Sequence, residues 1–161
     1  MQCPWCGQEA DRRKKGCCPN CGKEVHIYKI GRGKKKTTVW VANKPSITNI
    51  VKRLEKHILS ELPEFSFGGY QDKSYLEQLA YAKVLLQKCN LDQRVAERVV
   101  DLHFKGIPGL YKKYSLVALL GNTFPRALAI ARKEIDAEDE EAKLQQERLN
   151  QIEALDVQYA L

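Results

Sequence analysis

From residue 45 onward, apolar positions recur at three- and four-residue steps, which is the spacing of amphipathic helices. Ile47, Ile50, Val51, Leu54 and Ile58 make the first stripe, opened by Pro45-Ser46 with Ser46 as N-cap and closed before Pro63. Phe65-Ser66-Phe67-Gly68-Gly69 reads as a turn. A second helix is predicted from near Asp72, with Tyr75, Leu79, Ala82, Leu86 and Cys89 as its buried stripe. Asn90-Leu91-Asp92 ends it and caps a third, which carries Val95, Val99 and Leu102 and closes at Gly106. A short fourth helix holds Leu116, Leu119 and Leu120 before Gly121-Asn122. Thr123 caps a final helix in which Pro125 sits at an early, tolerated position. Leu128 to Ile135 is apolar enough to dock. Beyond Asp136 the sequence turns acidic, with Leu144, Leu149, Ile152 and Leu155 widely spaced, so the tail is expected to be either an exposed helix awaiting a partner or a partly disordered end.

The first 45 residues follow another rule. Val25-His26-Ile27-Tyr28-Lys29-Ile30 and Thr37-Thr38-Val39-Trp40-Val41 are rich in β-branched and aromatic residues, and Gly31-Arg32-Gly33-Lys34-Lys35-Lys36 lies between them. This pattern predicts a β-hairpin with a basic tip. The expected class is therefore mainly α with a small β module. Its divisions are a ribbon over 1–42, a linker over 43–46, a helical bundle over 47–135 and a long C-terminal helix or tail over 136–161.

Charge divides the chain along the same lines. Residues 1–42 hold ten Lys/Arg against three acids, whereas residues 136–161 hold two against eight. A basic front end attracts polyanions, of which nucleic acid is the commonest large one. The alternative is a merely solvated surface. No apolar run approaches the roughly 20 residues that span a bilayer. The six cysteines accompany no secretory leader pattern, so metal ligation in a reducing, intracellular and cytoplasmic setting is expected rather than a disulfide framework.

Four of those cysteines lie in an internal repeat. Cys3-Pro4-Trp5-Cys6-Gly7-Gln8-Glu9-Ala10 recurs as Cys18-Pro19-Asn20-Cys21-Gly22-Lys23-Glu24-Val25. A two-residue spacer lets both sulfurs of one turn face a single ion, and two copies of one ligand loop imply one shared metal. The paired Cys-Pro-x-Cys-Gly loops resemble the knuckles of the zinc ribbon family over about residues 1–42. The resemblance implies one structural Zn2+ held by Cys3, Cys6, Cys18 and Cys21. Four protein ligands leave no open coordination position, so the metal is expected to be structural. Iron in a rubredoxin-like site has the same ligands. Cys17 falls outside the repeat alignment and is spare, and His26 is a second candidate ligand. Redox work by the Cys-x-x-Cys pairs is the functional rival, although no βαβ pattern accompanies them.

Nothing else in the sequence converges on catalysis. His57 and His103 lie on separate helices, and Cys89 belongs to an apolar stripe. Gly31-Arg32-Gly33-Lys34 lacks phosphate-loop spacing, and the run Asp136–Glu141 reads as a solvated face. The expectation is that the protein is not an enzyme. The candidate nucleic-acid contacts are Arg12, Arg13, Lys14 and Lys15 between the knuckles and Arg32, Lys34, Lys35 and Lys36 at the hairpin tip. Trp40 joins them as a stacking ring, with Tyr28 nearby; the alternative for both aromatics is that they cover the small ribbon core. Residues 47–131 resemble helical domains of bacteriophage replication-accessory proteins in their succession of helix, aromatic-glycine turn and helix.

Three readings follow from the sequence. The first is a nucleic-acid-binding accessory protein of a replication, transcription or mobile-element machine, which docks a protein partner through its helical body or acidic tail. The second is a protein-protein adaptor with a folding staple. The third is a small subunit of a nucleoprotein effector complex.

Overall fold

The computed structural model describes residues 1–9, 16–30, 37–68, 72–105 and 115–159, with side chains as far as 152. Three antiparallel strands, β1 (Gly16–Cys17), β2 (Glu24–Ile30) and β3 (Thr37–Val41), form one sheet in that order. β1 was not expected from sequence; it adds Gly16 opposite Val25 and Cys17 opposite Glu24. In the predicted hairpin, His26 faces Val41, Tyr28 faces Val39 and Ile30 faces Thr37. The two-residue period of the strands divides the work between their faces. Val25 and Trp40 are buried with Cys3 and Cys18 in a ribbon cluster, whereas Tyr28, of opposite parity, packs against the main helical core. The sheet thus turns Val25 and Trp40 toward the cysteines and Tyr28 toward the helices.

The helical part contains α1 (Ile47–Glu61), α2 (Lys73–Lys88), α3 (Gln93–Phe104), the single turn α4 (Leu116–Leu119) and α5 (Phe124–Tyr159). Short polar side chains begin them as the sequence implied. Ser46 accepts from Asn49 N–H, Asp72 from Ser74 N–H, and Asp92 from Val95 N–H. The α2 C-terminus closes as a Schellman motif: Leu91 N–H bonds Leu86 O, Asn90 N–H bonds Gln87 O, and both residues have positive φ (56° and 64°). Asn tolerates that conformation, and Leu91 is held in it by the second hydrogen bond and by packing against the core. The expected close of α3 at Gly106 lies outside the described residues; its last residue is Phe104.

Ile50, Val51, Leu54 and Ile58 of α1 are fully buried against α2 and α3. The buried α2 residues include Tyr75, Ala82, Leu85 and Leu86, together with a polar one, Gln78. Its Oε1 accepts from Leu116 N–H at 2.9 Å and its Nε2 donates to Ser115 Oγ at 3.1 Å, so Gln78 anchors the start of α4. Asp101 is buried too. It takes a bidentate pair from Arg53 at 2.7 Å and lies 2.8 Å from His57 Nε2, which fastens α3 to α1. Burial raises the Asp101 carboxyl, but Arg53 and His57 together hold it below its ordinary value.

α5 is continuous through the acidic run. Ala127, Ala131 and Ile135 bury its first part. Arg98 of α3 then pairs with Glu134 and Glu138, and Arg94 with Asp139. From Asp136 to Ile152 every side chain is exposed, including Leu144, Leu149 and Ile152.

Candidate metal centre

The two knuckles repeat in hydrogen bonding as they do in sequence. Gly7 N–H reaches Cys3 O at 3.0 Å and Gly22 N–H reaches Cys18 O at 2.8 Å; Cys3 N–H bonds Gln8 O and Cys18 N–H bonds Lys23 O. Gly7 and Gly22 have φ of 69° and 70°, and this left-handed turn is what a glycine after the second cysteine permits at no steric cost. Each turn therefore directs two sulfurs to one side.

The four thiols Cys3, Cys6, Cys18 and Cys21 lie within 4.8 Å of one another and can hold one metal ion. Cys3 Sγ is 3.8 Å from Cys21 Sγ, and Cys6 Sγ is 3.8 Å from Cys18 Sγ. Tetrahedral thiolates at about 2.3 Å from an ion stand roughly 3.8 Å apart, so the donor set fits a tetrahedral ion as placed. A backbone amide also reaches the group, with Trp5 N–H 3.4 Å from Cys3 Sγ. Burial raises the Cys18 thiol, and amides at Cys21 and Asn20 with the neighbouring thiols more than offset this and bring it to about 7. The Gln8 amide lowers Cys6, but burial and the adjacent sulfurs push it up to about 11. Four thiols this close cannot all ionise without a cation among them.

Cys17 is exposed on β1 and outside this group. His26 is also outside it, with Nε2 4.0 Å from Glu24 Oε1. The predicted nucleic-acid contacts Arg12, Arg13, Lys14, Lys15, Arg32, Lys34, Lys35 and Lys36 lie outside the described residues. Trp40, predicted with them, is only 5% exposed and packs over the cysteine cluster. Its packing against Cys3, Cys18 and Val25 accounts for the burial and matches the alternative that the ring covers the ribbon core.

A different tryptophan is accessible. Trp5 is 46% exposed, its Nε1–H donates to Glu24 O at 2.8 Å, and Lys23 Nζ lies 4.8 Å from the ring centroid. The signal for it was in the repeat, where tryptophan replaces the asparagine of the second knuckle between otherwise similar residues. No described helix is long and apolar enough to cross a membrane. No protein-family model, curated protein or solved structure matches the chain.

Proposed function

We propose that the protein is a zinc-stapled, non-enzymatic nucleic-acid-binding accessory protein of a replication, transcription or mobile-element machine. The observation that carries this is the charge division: ten Lys/Arg against three acids in residues 1–42, on a module too small to need so many cations for folding. Zinc is the ion favoured by four thiolates in a closed set, and its role is to fix the knuckles, since no coordination position is left for a substrate. Iron would announce itself by visible absorption and elemental analysis. The cations would bind phosphates through counterion release, a contribution that positions the protein without reading sequence.

The test is fluorescence anisotropy of labelled single-stranded DNA, single-stranded RNA and duplex DNA over a salt series. The expected result is an affinity falling with log salt at about 0.7 to 0.9 per phosphate contacted, reduced when Arg12, Arg13, Lys14 and Lys15, or Lys34, Lys35 and Lys36, are neutralised. Absence of salt-sensitive affinity for any of the three overturns it. The adaptor reading would then lead, favoured by the exposed Leu144, Leu149 and Ile152 on α5. A protein partner docked on that helix is compatible with both readings.

A further inference from the structure

Between the first knuckle and the α2–α3 corner lies a cleft of about 620 Å³. Its lining runs from Pro4 and Trp5 past Trp40 and Asn43 to Asn90 and Leu91. Trp5 is held in place by the Glu24 hydrogen bond yet stays exposed, an arrangement that makes a fixed aromatic platform at no further ordering cost. The Asn90-Leu91 end of the lining is equally fixed, because the Schellman hydrogen bonds and the packing of Leu91 hold the corner. The Asn90 and Asn43 carboxamides in the cleft have no hydrogen-bond partner among the described residues. Carboxamides can both donate to and accept from a base edge.

The cleft does not end there. Glu97 lines it and also lines a second depression, of about 280 Å³, whose other residues are Asn49, Lys52, Arg53 and Lys56 of α1. Arg53 is committed to Asp101, but Lys52 and Lys56 are exposed, one turn apart, and without an ion-pair partner among the described residues. In the cleft Asp92 and Glu97 are opposed only by Arg94, which is already paired with Glu138 and Asp139, whereas in the depression Lys52 and Lys56 outnumber Glu97, so a phosphate is favoured in the depression rather than in the cleft. A neutral planar group belongs inside and its anionic flanks outside.

We infer that the cleft takes an unpaired nucleobase stacked on Trp5, with the adjoining phosphates on Lys52 and Lys56, so that the ligand is single-stranded nucleic acid. This rests on the nucleic-acid reading above and names a site separate from the ribbon loops. Lys23 lies over one face of Trp5, so a base would take the other, and a fixed ring with cations in the adjoining depression is the combination by which unpaired strands are held without regard to sequence. Paired bases already stack on their neighbours and present no free face to Trp5.

The experiment uses the full zinc-loaded chain with fluorescein-labelled 12-nucleotide oligothymidine and a 12-base-pair duplex. Trp5→Ala should weaken oligothymidine binding roughly 5- to 150-fold with an unchanged salt slope, and Trp5→Phe should restore most of it. Lys52→Ala with Lys56→Ala should lower the salt slope by about 1.4. In a Trp40→Phe background, oligothymidine should quench the fluorescence of Trp5, and the duplex should not. Thermal melts check that each variant folds, and the Trp5 quenching and the Lys52/Lys56 salt slope carry the argument if Trp5→Ala does not fold. If the wild type binds nucleic acid but Trp5→Ala and the Lys52/Lys56 double variant bind as it does, this inference fails and the broader reading stands. If duplex binds as tightly and with equal quenching, the single-strand assignment fails. If the wild type binds neither, both readings fall.

Discussion

Among the described residues, four close the interior of the ribbon, Cys3, Cys18, Val25 and Trp40, and two of them are thiols. The helical body closes around twenty-two buried residues among those described, nearly all hydrocarbon, from Ile50 on α1 to Ile135 on α5. The ribbon interior even includes an indole Nε1–H with no hydrogen-bond partner among the described residues, a defect that costs about 1 to 3 kcal/mol. Area alone cannot fold such a module, because ordering each residue costs about 1 to 2 kcal/mol of backbone entropy. Two sources of stability are therefore expected in one chain, metal binding at the four thiols for the ribbon and apolar burial for the body.

The comparison can be broken most sharply at the thiols. Cys3→Ser or Cys21→Ser should abolish metal retention and unfold residues 1–41, since metal binding contributes on the order of 10 kcal/mol in small zinc modules. Circular dichroism should retain nearly all of the helical signal. Loss of helix in step with metal would unite the two parts into one cooperative unit.

The opposite lesion is Leu54→Ala. Leu54 is fully buried, and truncation should cost about 3 to 5 kcal/mol in denaturant midpoint while zinc content stays at one per chain. A smaller effect is expected for Asp101→Asn, about 2 to 3 kcal/mol, because it leaves Arg53 and His57 without their carboxylate. Since the folded carboxyl is lowered, its contribution is present above the ordinary carboxylate value near 4 and is lost as pH falls through the lowered one. Urea melts of the two proteins should therefore converge under acid. A difference that persists there would assign the loss to packing. The smallest effect belongs to the projecting helix. Ending the chain after Ala142 should move the melting temperature by no more than a degree or two, because the side chains from Lys143 to Ile152 are exposed while the Arg94 and Arg98 pairs are kept.

What was legible in the sequence was local. The helix starts at Ser46, Asp72 and Asp92 could be read because an N-cap is satisfied within three residues of itself. The grouping of Cys3, Cys6, Cys18 and Cys21 could be read because the ligand loop occurs twice. Gln78 was not foreseen, since its partners Ser115 and Leu116 are 37 and 38 residues away and nothing at position 78 announces them. Asp101 escaped for the same reason, joining α3 to Arg53 and His57 across more than forty residues. The two tryptophans could not be told apart in the sequence, because composition ranks aromatics alike; the structure buries Trp40 against the cysteines and leaves Trp5 46% exposed. The sequence left α5 open between helix and disorder, and its continuation through Asp136 fits the Ala, Glu, Lys, Gln and Arg content of that stretch.

The division into a metal-held ribbon and a self-sufficient body is tested most directly by hydrogen exchange with mass spectrometry on the intact chain, before and after chelation. Native mass spectra should first show one zinc per chain. On its removal, amide protection should collapse across residues 1–9, 16–30 and 37–41 and remain unchanged across α1, α2, α3 and the first half of α5. A chain that binds no metal, or one whose helices lose protection together with the ribbon, would contradict the account.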